Sequence, residues 1–118
     1  MGRHARARDM LDRLYRSRSS VWTDAGLDLA ATLQKTGDPT GARAVLETVS
    51  HDAPDANTRA LALWTLGALA EQESTAALTR AADAYARVLE VSDTLFPKTL
   101  LEARINTLRR KAAGGGGS

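Results

Sequence analysis

At 118 residues, with 43% hydrophobic side chains but only 4% aromatic, the chain is sized for one small domain whose apolar content is carried by Ala and Leu. It holds no cysteine, which excludes disulfides and thiolate metal sites, and no apolar run approaches the roughly 18 residues a membrane span requires. The formal charge of +2 is unevenly spread: residues 1–20 set six Arg against Asp9 and Asp12, a balance of +4, residues 98–111 also carry +4, and residues 19–97 sum to −6.

Runs rich in Val, Ile, Thr and aromatics are missing, so the expected fold class is all-α. The first predicted helix covers 3–18, with Met10, Leu11, Leu14 and Tyr15 along one narrow side and Arg on the others. Ser20 can cap the next helix by accepting a free backbone N–H. That helix runs about 21–36, where Trp22, Ala25, Gly26, Leu29, Ala30 and Leu33 keep the three-and-four spacing of a buried face. Gly37 ends it, because glycine takes the left-handed conformation a helix C-terminus often needs. Asp38 then caps a third helix and Pro39 fits its first position, where a missing N–H costs nothing. Ala42, Val45, Leu46 and Val49 form its stripe.

The run His51-Asp52-Ala53-Pro54-Asp55 predicts a break, with Asp55 capping a fourth helix over about 56–72. Leu61, Leu63, Trp64, Leu66, Gly67 and Leu69 make that helix apolar on nearly every side, so it is either central or offers a surface to something else. Ser74-Thr75 predicts a turn, though an unbroken helix across it is physically possible. Leu78, Ala81, Ala82, Tyr85, Val88 and Leu89 mark a fifth helix. Ser92-Asp93-Thr94 is expected to open the last one, about 94–112, with Pro97 in its first turn and Leu101, Ile105 and Leu108 facing inward. Gly114 to Ser118 have the composition of an engineered flexible linker and bound the domain at 1–113.

With Pro54 as a closing proline, Leu29, Ala30, Leu33, Gly37, Ala42 and Leu46 fall into register with a tetratricopeptide unit, which the segment resembles. Leu66-Gly67, with Ala81 and Ala84 to Glu90, resembles a second unit that needs about two extra residues near Ser74 and has Asp93 where proline is usual. The resemblance covers roughly residues 23–93. It implies antiparallel helix hairpins flanked by capping helices, with Gly26, Ala30, Ala42, Gly67 and Ala81 where helices cross closely. It further implies that the first helix of each unit lines a peptide-binding groove. The groove positions would be Asp24, Leu27, Asp28, Ala31, Gln34 and Lys35, then Leu61, Trp64, Thr65 and Ala68. One subfamily grips a C-terminal carboxylate there with Lys, Arg and Asn. This chain has Asp24, Asp28, Leu61 and Trp64 instead, so the implied guest is an amphipathic helix with basic residues. Trp64 has a competing reading as core, and the last helix has one as filler of the groove.

Catalysis needs a nucleophile, base or metal beside an orienting partner. The only histidines are His4, placed in a mobile arm, and His51, in a loop beside Asp52. Asp24 and Asp28 lie one turn apart without a third ligand, and no phosphate-binding glycine loop occurs. The chain is therefore expected to be a non-enzyme without metal or cofactor. The arginines of Gly2-Arg3-His4-Ala5-Arg6-Ala7-Arg8 suggest a nucleic-acid-associated regulator as one alternative, disfavoured by the scarcity of aromatics for stacking. A self-assembling oligomer paired through the fourth helix is the other. No secretory signal is present at the N-terminus, which points to a cytoplasmic protein. Arg outnumbers Lys thirteen to three, which with abundant Ala suggests a GC-rich bacterial source.

Overall fold

Residues 2–18, 21–92 and 94–114 are described by a computed structural model. Among them are six α-helices and no strand: α1 (Gly2–Arg16), α2 (Trp22–Lys35), α3 (Pro39–Asp52), α4 (Ala56–Glu73), α5 (Leu78–Val91) and α6 (Lys98–Gly114). The fold is all-α. The proposed Ser20 cap, Asp93 and the linker residues 115–118 lie outside the described residues; Val21 holds the N-cap position of α2 and makes no side-chain cap bond.

Local signals fix most boundaries. Gly37 has a φ of +86°. Its N–H donates to Gln34 O at 3.2 Å while Asp38 N–H donates to Leu33 O at 2.8 Å, the paired closure of a Schellman turn. Asp38 then accepts from Gly41 N–H at 2.9 Å, with Pro39 starting α3. Ala53, next to Pro54, is pushed to extended φ/ψ of −61° and 134° and stops α3. Asp55 accepts from Thr58 N–H at 2.9 Å and starts α4. Ser74 is extended, and a 3-10 turn over Thr75–Ala77 leads into α5, so residues 56–91 form two helices.

Three expectations change, the first being that His51 and Asp52, expected in a loop, form the last turn of α3. The run Gly2 to Arg8 is the start of α1, so His4 sits within a helix rather than a mobile arm. The last helix begins at Lys98, not near Thr94. Ser92 spends its hydroxyl on Asn57 Oδ1, at 2.7 Å, and Phe96 precedes a proline, which disfavours helix there. α6 also runs one residue into the glycine tail, to Gly114.

Each helix packs chiefly on its sequence neighbours, from α1·α2 through α5·α6. Clefts open between alternate helices. One lies between α1 and α3, one between α3 and α5, and on the other side one between α2 and α4 and one between α4 and α6. The odd-numbered helices therefore form one layer and the even-numbered helices the other. The shortest extent of 17 Å agrees with two layers at an interaxial distance of about 8–10 Å.

The core has two parts. Leu29, Ala30, Leu33, Leu46, Val49 and Leu69 join α2, α3 and α4. Leu63, Tyr85, Val88, Leu101, Ile105 and Leu108 join α4, α5 and α6. α4 feeds both, which is why it is apolar around most of its circumference. Small residues permit the close crossings: a Cβ on Gly26 would lie 2.8 Å from Val49 Cγ2, and one on Gly67 would lie 2.6 Å from Tyr85 Cε1.

Candidate functional site

The chain has five aromatic residues, and three meet on one side of the even-numbered layer. Trp64, near the middle of α4, stacks on Phe96 with ring centroids 5.4 Å apart and planes at 15°. Tyr85 of α5 lies beneath, 6.4 Å from Trp64 and tilted by 52°. Phe96 reaches Trp64 because the loop before α6 is tied to the start of α4 through Ser92 and Asn57, and because Pro97 holds the residue before it out of the helix.

Together with Ala68, Pro97, Leu100 and Leu101 these rings line a cleft of about 660 Å³ between α4 and α6, with α5 as its floor. Large apolar groups stay open to solvent at its walls: Trp64 is 37% exposed and Leu100 68%. Leu61, one turn before Trp64, and Leu95, beside Phe96, are exposed as well.

The far end of the cleft is polar. Glu71, whose side chain is 18% exposed, pairs with Arg104 of α6, which is 50% exposed. The Tyr85 hydroxyl donates to Glu71 Oε2 at 2.6 Å. Burial first, and then this bond to Glu71, pushes the Tyr85 hydroxyl well above the ordinary tyrosine range. The carboxylate thus fastens α4 to α5 and to α6.

Of the groove positions, only Trp64 and Ala68 line this cleft. Leu61 is exposed on the same face of α4, and Thr65 is half-buried with its hydroxyl bonded to Leu61 O at 2.8 Å. On α2, Asp24, Asp28, Ala31 and Lys35 are exposed, while Leu27 packs against the core shared by α2, α3 and α4. Gln34 lines a separate, smaller cleft with Leu69, Gln72 and Glu73. The α2 positions border a different part of the even-numbered layer from the α4–α6 cleft. Tyr85, Phe96, Leu100, Glu71 and Arg104 are not among the groove positions; the rings of Trp64, Tyr85 and Phe96 are far apart in sequence and meet only in the fold. Trp64 is divided between core and surface. Leu101, Ile105 and Leu108 of α6 are buried against α4 and α5, and the cleft stays open beside them.

The other noted groups lie elsewhere. His51 Nδ1 is 3.0 Å from Asp52 Oδ1, both exposed, and Arg18 Nη2 is 3.1 Å from Asp52 Oδ2 while its guanidinium sits 3.9 Å above the Trp22 ring. The His51 bond and then Arg18 hold the Asp52 carboxyl below the usual range. That cluster anchors the end of α1 to α2 and α3. Among the described residues no group of three or more His, Cys, Asp or Glu could hold a metal ion, and no helix is long and apolar enough to cross a membrane.

Neither the protein-family models, nor the curated proteins, nor the solved structures include a match to this chain.

Proposed function

We propose that the chain is a protein–protein interaction module that takes a peptide or amphipathic helix of another polypeptide in the cleft between α4 and α6. The observation carrying this reading is the exposure of Leu100 and Trp64 beside Phe96 and above Tyr85, in a cleft of about 660 Å³. Bulky apolar groups at the walls of one concavity match the anchor sites of helix-in-groove recognition. The tetratricopeptide-like reading supports the same layer of alternate helices, with the guest moved from α2 and α4 to α4 and α6.

Leu100→Ser is the discriminating variant, since a side chain this exposed contributes little to folding. Amphipathic peptides selected on the wild-type protein should lose most of their affinity for Leu100→Ser while its thermal melt is unchanged. Unaltered affinity would remove the cleft from consideration. Trp64→Ala is the companion, and loss of its fold would reassign Trp64 to the core.

Self-association is a second reading, favoured by the uncharged outer stripe of α4 around Leu61 and Trp64. Light scattering over a dilution series separates it, because a stable dimer keeps its mass.

A further inference from the structure

We infer that the guest of the α4–α6 cleft is an amphipathic helix with an acidic edge, the reverse of the basic partner suggested by the α2 carboxylates. This rests on the reading of that cleft as a binding face. Its two walls differ in charge. Along its outer side α4 presents Asn57, Leu61, Trp64, Ala68 and Gln72, three or four residues apart and without an ionisable group. On α6 the stripe that contains Leu100 and Arg104 continues to Lys111, seven residues and two turns beyond Arg104. Both cations are exposed. The one carboxylate of α6, Glu102, lies two residues from Leu100 and two from Arg104, so it is turned roughly 160° away from them.

Glu71 is the one acidic residue in the cleft lining, and its carboxylate is already occupied by the Tyr85 hydroxyl and the Arg104 guanidinium. Arg104 reaches Glu71 through Nε and Nη2 only. Its Nη1 has no partner among the described residues, and a guanidinium can hold carboxylates on two edges at once. Asp24 and Asp28, on α2, belong to neither wall. Glu71 and Arg104 cancel within the lining, so the charge left to a guest is the open edge of Arg104 and, two turns further along α6 and outside the lining, Lys111. Leu100 and Arg104 are one turn apart, so the matching helix carries a bulky apolar anchor and a carboxylate one turn from it.

Two synthetic amphipathic peptides with the same Leu-rich face, one with Glu and one with Lys at the flanking positions, provide the probes. Fluorescence anisotropy with the full chain should give about tenfold tighter binding of the Glu peptide at low salt, shrinking as salt is added. Arg104→Gln and Lys111→Gln should each reduce that preference severalfold. Lys111 makes none of the described ion pairs, so its effect cannot come from loosening α6. Equal affinity for the two peptides, or tighter binding of the Lys peptide, overturns the acidic-edge inference and leaves the cleft as a binding face. Failure of both peptides to bind overturns the binding face itself, and the inference with it.

Discussion

Gly67→Ala tests whether the close approach of α4 and α5 is real and whether it shapes the cleft. A Cβ at position 67 would lie 2.6 Å from Tyr85 Cε1 and 2.9 Å from both Cδ1 and Cζ, so the ring has to move. It has little freedom to do so, being 3% exposed with its hydroxyl bonded to Glu71 at 2.6 Å. Overpacking of this kind costs about 1–3 kcal/mol, whereas alanine in place of glycine inside a helix returns about 1 kcal/mol. Because the Tyr85 ring is held on both counts, the overpacking cost falls at the upper end, about 2–3 kcal/mol. The net expectation is therefore a loss of about 1–2 kcal/mol, or a melting temperature lower by roughly 4–8 °C. Urea titration followed by circular dichroism measures the first and a thermal melt the second. Gly114→Ala is the control, since nothing lies within 4 Å of a Cβ there. In a Tyr85→Leu background the alanine penalty should disappear, because the atoms it strikes are gone. A Gly67→Ala protein as stable as the wild type, or more so, would refute the reasoning.

Tyr85→Phe should cost about 1 kcal/mol at neutral pH through the lost bond to Glu71. Since the folded state raises the Tyr85 pKa above its unfolded value, the folded chain binds more protons above about pH 10, and stability falls there as pH rises. Tyr85→Phe should flatten that alkaline decline in denaturant titrations between pH 9 and 11, and an unchanged slope would count against the buried hydroxyl. Glu73 receives both Arg43 of α3 and Arg80 of α5, so Glu73→Gln should lose roughly 1–2 kcal/mol in the same assay, far more than a surface pair. Asp55→Ala removes the cap on Thr58 N–H and should cost about 1 kcal/mol, while Asp24→Ala, which removes only a first-turn charge among the described contacts, should cost less, about 0.3–0.5 kcal/mol.

What could be read from the residues was what acts locally. Gly37, Asp38-Pro39, Ala53-Pro54 and Asp55 set helix ends through their own backbone preferences, and each works this way in the structure. Periodicity placed Leu101, Ile105 and Leu108 inward, and they are buried. Composition opens the last helix at Ser92-Asp93-Thr94, yet the Ser92 hydroxyl donates to Asn57, 35 residues away, and α6 begins at Lys98. The cleft was harder still. Its existence depends on Phe96 landing on Trp64, a contact between a loop and a helix with no periodic signature. Leu100, next to buried Leu101, stays exposed because two alternate helices stand apart over a third.

The preference for α4 and α6 over α2 and α4 follows from how each helix spends its surface. α2 buries one side, through Ala25, Gly26, Leu29, Ala30 and Leu33, and turns Asp24, Asp28 and Lys35 to solvent. That is the pattern of a helix whose outer face needs only water. α4 serves two core clusters at once, and its remaining outer stripe still carries Leu61 and Trp64. Trp64 spends part of its ring on Phe96 and Tyr85, but its open part and Leu61 keep apolar surface in water, which a guest lying against α6 would cover. On the proposed reading the carboxylates of α2 are ordinary solvent-facing charges, and the cation beside the apolar anchors is Arg104.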